Sequence, residues 1–242
     1  MKNERVKSIT SQDNRFYLVD GEYYPSVTTI LTAYPKSVGF FKWLTTNGNW
    51  QEAEKAKEEA GSRGSKVHNA ILQLINGKRL KLLDSNKESI FTNEEWKMIL
   101  AFKNFWEDFE PITLECEKTV FSKRFKFAGT IDWMGTIKMP GKDKKAKRVL
   151  AIMDWKTSKA IYNSNLVQVA AYAFASTEME KKKAQALAVI QLGSKNKRGY
   201  AVKFVEDRET CFNVFLAVKT IWDFENPNAR PSTEDLPGEI KI

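Results

Sequence analysis

Two aspartates and a lysine stand where their types and spacing can do chemistry. Asp132 closes the run Gly129-Thr130-Ile131-Asp132 and is flanked by Ile131 and Trp133, and Asp154 ends the apolar run Val149-Leu150-Ala151-Ile152-Met153. Carboxylates are poor strand residues and costly to bury unless their charge is compensated. On consecutive strands joined by a turn, two of them can converge on one point, where a hard divalent cation bound by oxygens is the natural compensation. Lys156 follows Asp154 by two residues, and strand side chains repeat every two positions, so the pair shares a face. An ammonium beside a metal-bound water can orient that water and neutralise charge building on a phosphate. An Asp-x-Lys alone is equally an ordinary ion pair at a strand end; the second strand carboxylate tips the balance toward a site.

Two further pieces bear on the same point. Gln168 and Tyr172 lie four apart in a helical stretch, so an amide and a phenol share one helix face. There they can serve a carboxylate, a water or a phosphate, or simply form the helix rim. His68, the single histidine of the chain, falls in Gly64-Ser65-Lys66-Val67-His68-Asn69-Ala70-Ile71. A lone helical histidine is commonly structural, but neutral imidazole is also a good ligand for manganese.

These residues need elements to hold them. Phe16 to Val19 and Glu22 to Tyr24 read as a hairpin over Asp20-Gly21, and Ser26 caps a short helix over 27–31. Helix formers run from Gln51 to Leu74, with an expected interruption at Gly61-Ser62-Arg63-Gly64 that would restart the helix at Gly64. Thr92 and Glu95 form a capping box for a helix reaching Phe109. Ile112 to Val120, Phe125 to Met139 and Arg148 to Trp155 read as strands, the last two joined by the basic turn Pro140 to Lys147. Asn165 to Glu180 is helical, Ala184 to Leu192 and Tyr200 to Val205 form a further hairpin, and Arg208 to Phe224 is the last helix, followed by a proline-marked tail (Pro227, Pro231, Pro237). The economical fold is α/β: a central mixed β-sheet flanked by helices, in one domain over residues 1–242. Residues 1–110 supply the N-terminal hairpin and helices, 111–205 the sheet and helix that carry the chemistry, and 206–242 the last helix and tail.

Composition bounds the partners. The chain has 242 residues, 42% hydrophobic and 29% charged, enough apolar material for a core and no run resembling a membrane span. The N-terminus has no apolar signal core, so the expected location is the cytoplasm of a bacterial or phage-infected cell. Thirty-nine Lys and Arg against thirty Asp and Glu leave a net charge of +9, which suits a polyanion as well as a merely soluble surface. With two cysteines, Cys116 and Cys211, and no CxxC spacing, a disulfide framework, zinc ribbon or cysteine-held iron–sulfur cluster is not expected.

In order, Gly-Thr-x-Asp, Asp-x-Lys-Thr and Gln-x-x-x-Tyr, preceded by a glycine-rich stretch with Val67-His68, resemble the RecB-like branch of the PD-(D/E)XK nucleases. The opening Tyr24-Pro25-Ser26-Val27-Thr28-Thr29-Ile30-Leu31 is similar to the start of mitochondrial genome maintenance and phage exonucleases. The likeness spans about Tyr24 to Tyr172 and implies a restriction-endonuclease-like core. It implies a Mg²⁺- or Mn²⁺-dependent DNA nuclease of exonuclease type, serving recombination, repair or phage DNA processing. His68, Asp132, Asp154 and the Trp155 carbonyl would be metal ligands, Lys156 the catalytic lysine, and Gln168 and Tyr172 its helix support. Glu117 would have a supporting role. Asp154 stands where many relatives carry Glu.

DNA, single- or double-stranded, is the partner so implied, along with recombination or replication proteins and no membrane. Its contacts are expected from Lys42, Trp43, Arg63, Lys66, Thr157, Ser158 and Lys159, and from Ser26 and Thr28 at a helix start. Backbone N–H groups at helix starts near Ser26 and Gly64 would add to these. Trp43 and Trp50 would stack on unpaired bases unless they pack in a core. The lysine runs at 142–147, 181–183 and 195–197 read as solvated loops. The alternatives are a catalytically inactive nucleic-acid-binding relative and a scaffold component of a DNA-processing complex.

Overall fold

The computed structural model describes residues 6–11, 14–46, 49–139, 147–232 and 240–241. Asp20 and Gly21 both take the left-handed conformation (φ +49° and +82°), which matches the twist of a two-residue hairpin turn. The turn joins β2 (Asn14–Val19) to β3 (Glu22–Pro25), and an unforeseen strand β1 (Lys7–Ser11) pairs antiparallel with β2. Its sequence, Lys-Ser-Ile-Thr-Ser, has one large apolar residue; the pairing, and not its own pattern, makes it a strand. The inward residues Tyr17, Val19 and Tyr24 pack on Ala128.

Ser26 caps α1 (Val27–Ile30), which a 3-10 turn over Leu31–Ala33 extends. A second unforeseen element, α2 (Val38–Thr46), follows; its glycine and aromatic residues are weak helix formers. Then comes α3 (Trp50–Ile75), capped by Asn49. It runs unbroken through Gly61 and Gly64, contrary to the expected interruption. Glycine inside a helix costs only about 1 kcal/mol, and the buried face Val67, Ala70 and Ile71 outweighs that. Gly64 is therefore mid-helix, its backbone N–H inside the helical ladder and not presented to a phosphate. The capping box of Thr92 and Glu95 starts α4 (Asn93–Phe109) as expected.

The main sheet comprises β4 (Ile112–Ser122), β5 (Phe127–Lys138), β6 (Arg148–Lys156), β7 (Ala186–Leu192) and β8 (Tyr200–Phe204), in that spatial order. All neighbours are antiparallel except β6 and β7; the crossover between those two is α5 (Asn163–Glu180). The last helix is α6 (Arg208–Glu225). This is the expected mixed sheet flanked by helices, with the N-terminal sheet added.

Alternation along β6 divides the core. Leu150 and Ile152 join Val169, Leu187, Phe215 and Trp222 on the α5–α6 side. Ala151, Met153 and Trp155 join Ala70, Phe102, Phe105 and Ile190 on the α3–α4 side. The α5 side therefore receives Asp154 and Lys156. Most of the basic turn expected over 140–147, and Pro237 of the tail, lie outside the described residues. No described helix is long and apolar enough to cross a membrane.

Opposite Thr113 of β4, a Cβ on Gly135 would fall 2.2 Å from the Ile112 carbonyl oxygen and 2.5 Å from the Trp133 ring. Backbone cannot yield there as a flexible side chain would. Gly135→Ala is expected to destabilise the fold by about 3 kcal/mol, read as a lower denaturation midpoint at unchanged m-value; an unaffected midpoint would contradict this packing.

Candidate active site

The β5–β6 ladder runs from Lys138 opposite Arg148 to Trp133 opposite Met153 and stops there. One step further, where the register would set Asp132 opposite Asp154, the strands part. In place of a ladder bond, the Asp132 Oδ2 accepts the Trp155 backbone N–H at 2.9 Å. Meanwhile β6 keeps its pairing with β7 as far as Lys156 opposite Gln191. Beyond Met153, then, β6 is held along one edge while the other opens into a fork.

The backbone around Asp132 is irregular in a way that aims its side chain. Phe127 and Ile131 lie in the α5–α6 core, yet Trp133 and Ile137, which share their parity, lie in the other. Across the sheet Glu117 adopts φ +49°, skipped between the pairs Cys116–Trp133 and Lys118–Ile131. Such local irregularities re-aim side chains at functional sites.

On the α5 side the polar groups form one network. The Lys156 ammonium lies 2.6 Å from Asp154 Oδ2 and donates to Gln168 Oε1 at 3.0 Å. The Gln168 amide nitrogen donates to Asp154 Oδ1 at 3.1 Å and to the Tyr172 hydroxyl at 3.0 Å. These partners fix which way the amide faces. The Tyr172 ring lies against Gly129, where a Cβ would sit 2.3 Å from it; glycine is what lets the ring reach Gln168. From the other side, His68 brings Nε2 to 3.1 Å from the Trp155 carbonyl oxygen and Nδ1 to 3.7 Å from Asp132 Oδ2. One turn earlier, a Cβ on Gly64 would lie 3.3 Å from Thr157 Oγ1, so α3 and the loop after β6 meet at close range.

Charge is under tension here. Burial, reinforced by the neighbouring Asp154, pushes the Asp132 carboxyl well above the usual carboxylate range, against the pull of Lys156 and the Trp155 N–H. Burial opposes charge on Lys156, but Asp154 and Asp132 outweigh it and hold the ammonium's pKa above its ordinary value. Burial lowers His68, only partly countered by Asp154, so the imidazole is neutral at neutral pH, the form that ligates metals. Burial raises the Tyr172 phenol well beyond its ordinary value, keeping it protonated. Desolvation also raises Glu117, with Arg15 opposing, although its side chain reaches solvent.

Two carboxylates and one ammonium leave the ionised pocket one negative charge in excess, which a cation would balance. Asp154 Oδ2 is buried with no hydrogen bond, its ion pair with Lys156 being close but poorly aligned. The 3.1 Å hydrogen-bond contact between His68 Nε2 and the Trp155 oxygen is close to the roughly 3.0 Å between adjacent ligands around an octahedral ion with bonds of about 2.1 Å. Among the described residues, however, no three His, Cys, Asp or Glu side chains meet closely enough to form a ready cage. The oxygens of Asp154 face Lys156 and Gln168, and the remaining donor at the fork is a backbone carbonyl. Imidazole, carboxylate and carbonyl donors together suit Mg²⁺ or Mn²⁺.

The residues expected to touch DNA are placed unevenly. Ser26 is buried, and its hydroxyl accepts the Thr29 N–H and bonds the Thr28 and Thr29 hydroxyls; its duty is capping and it offers no face to a phosphate. Thr28 is exposed beside it. Arg63 pairs with Glu94 and Lys66 with Glu95, so these α3 cations are tied to α4. In the loop after β6, Ser158 bonds the Ala160 carbonyl, Gln191 bonds the Ser158 carbonyl, and Lys159 is exposed. Lys42, Trp43 and Trp50 are all exposed, which excludes core packing for the two tryptophans. Lys181 to Lys183, Lys195 and Lys197 are solvated, as expected.

Sequence reasoning set Gly64 at a helix start and Thr157 among the DNA contacts, and missed that the two pack together. The signal was there, a glycine four residues before His68 on one helix face, but what it faced was not. No family model matches the chain, and no curated protein matches it.

The raised Asp132 pKa carries a sign. From about pH 4, where an unfolded aspartate ionises, upward through the folded value, ionising this buried group costs stability. Asp132→Asn, which can still accept the Trp155 N–H, is therefore expected to melt above wild type in EDTA at pH 8. Added Mn²⁺ should raise the melting temperature of wild type and not of the variant. A variant that melts lower in EDTA would contradict this electrostatic account.

Proposed function

We propose that this chain is a metal-dependent DNA nuclease of exonuclease type, related to the RecB-like PD-(D/E)XK enzymes. The observation that carries the reading is the fork where Asp132 and Asp154 meet with Lys156 held beside them by Gln168. The order of elements, with the carboxylates on adjacent antiparallel strands and the support on the crossover helix, is what the resemblance implies.

His68, Asp132, Asp154 and the Trp155 carbonyl would hold Mg²⁺ or Mn²⁺. When bound, the ion supplies a Lewis acid for the scissile phosphate and lowers the pKa of an attacking water. The other roles fall to the chain itself. Lys156 keeps its proton through its carboxylate neighbours, so it acts as an electrostatic stabiliser and water-orienting donor, not as a base. Gln168 holds that ammonium in place by its carbonyl and holds Asp154 by its amide nitrogen. Tyr172, neutral and buried, anchors Gln168. Asp132 ties the Trp155 backbone, and thereby its carbonyl, to the fork. Glu117, close enough to raise the Asp132 pKa, adds to the negative field. Phosphodiester hydrolysis by direct water attack needs no covalent enzyme intermediate.

The non-catalytic alternative, a nucleic-acid-binding or scaffold protein, draws on the engagement of both Asp154 oxygens within the protein. Digestion of end-labelled linear oligonucleotides with Mg²⁺ or Mn²⁺ separates the two. Asp154→Ala is expected to abolish cleavage while DNA binding persists, and Lys156→Ala to slow it by roughly 10²- to 10³-fold; EDTA should stop wild type. Cleavage by Asp154→Ala at the wild-type rate would overturn the site, and binding without cleavage under either metal would favour the alternative.

A further inference from the structure

We propose that α2, together with Trp50 at the head of α3, is a landing surface for single-stranded DNA gripped by base stacking. The proposal rests on the nuclease reading and names the form of substrate it would take. Helix α2 has no buried residue. Val38, Phe41 and Trp50 are 71%, 56% and 68% exposed, and Phe40 and Trp43 over a third exposed. Such a concentration of exposed apolar side chains marks a binding surface. The Phe40 ring centroid lies 5.8 Å from those of both Phe41 and Trp43, and the Lys36 ammonium lies 5.7 Å from it.

Charge selects the occupant. From Tyr23 to Gln51 the chain contains no Asp, Glu or Arg, and Lys36 and Lys42 are its only ionised side chains. This stretch invites a polyanion. A second copy of the chain would set the same lysines against each other. Duplex DNA would offer its phosphates to the lysines but keep its bases stacked inside, leaving the rings unused. A single strand offers both, since every unpaired base presents a π-face beside its phosphate. Trp50 and His68 lie at separate places on α3, about 27 Å apart along the axis at 1.5 Å per residue. Trp50 thus holds a nucleotide flanking the reacting phosphate and takes no part in its chemistry.

The test is fluorescence anisotropy with fluorescein-labelled oligo-dT and a duplex of equal length, using the full chain with Asp154→Asn so that nothing is cut. The single strand is expected to bind more tightly than the duplex. Phe41→Ala and Trp50→Ala should each weaken the single strand roughly tenfold and the duplex little, while Trp50→Phe restores binding. Circular dichroism melts should match across these exposed positions, and Lys42→Glu supplies a second, charge-based variant expected to weaken the single strand. Equal affinity for both forms, or alanine variants that bind like the parent, overturns the proposal. So does a concentration-dependent dimer in sedimentation that the same variants abolish, which would make a second copy the occupant. Wild type that binds through these rings yet never cuts with Mg²⁺ or Mn²⁺ would overturn hydrolysis and leave the surface standing.

Discussion

The parting of two strands governs this molecule. Had the ladder between β5 and β6 continued past Trp133 and Met153, Asp132 and Asp154 would be flanking side chains on a closed sheet. Because it ends there, an edge of β6 is exposed within the protein, and a carboxylate oxygen takes the backbone donor that a strand would have used. Buried backbone groups need partners, so the fork is closed by the very group whose charge makes it reactive. The charge in turn requires compensation, and Lys156, Gln168 and His68 are arranged around that requirement.

Close approach is what lets these groups meet. Gly129 admits the Tyr172 ring, and Gly64 admits Thr157. The first contact sets α5 against the start of β5, and the second sets α3 against the end of β6, so the site is clamped from both faces of the sheet. Each clamp rests on its own apolar core. The N-terminal sheet joins the same region through the hydroxyl contact of Tyr17 with Thr130 at 2.9 Å, two residues from Asp132.

The excess positive charge is distributed less simply than its total suggests. Arg63 and Lys66 near the site are paired with acids of α4; the largely exposed Arg63–Glu94 pair contributes little to stability, whereas Lys66 serves the buried Glu95 carboxylate. Lysines on the solvated turns are separate again. The acid-free stretch through α2 is different because its two lysines stand among exposed rings. Net charge therefore points toward a polyanion without saying where it would lie.

Much of the architecture was legible in one dimension. Asp20-Gly21, the Thr92–Glu95 capping box, the apolar run of β6 and the Asp-x-Lys spacing are local features, set by φ preferences, hydrogen-bonding groups and the two-residue period of strands, and the fold realises each of them. Elements whose identity depends on a distant partner were not legible. The polar strand β1 exists by pairing with β2, α2 forms from weak helix formers, and α3 carries two glycines through because its apolar face is buried elsewhere. The same division runs through the candidate site. Residue types and spacing determined that Asp154 and Lys156 share a face and that Gln168 and Tyr172 follow on one helix face. Only the tertiary structure decided that β5 and β6 part at Asp132, that His68 reaches the Trp155 carbonyl, and that Ser26 is spent on a cap. Those outcomes depend on which backbones approach within a few ångströms, a distance that no periodicity along the chain encodes.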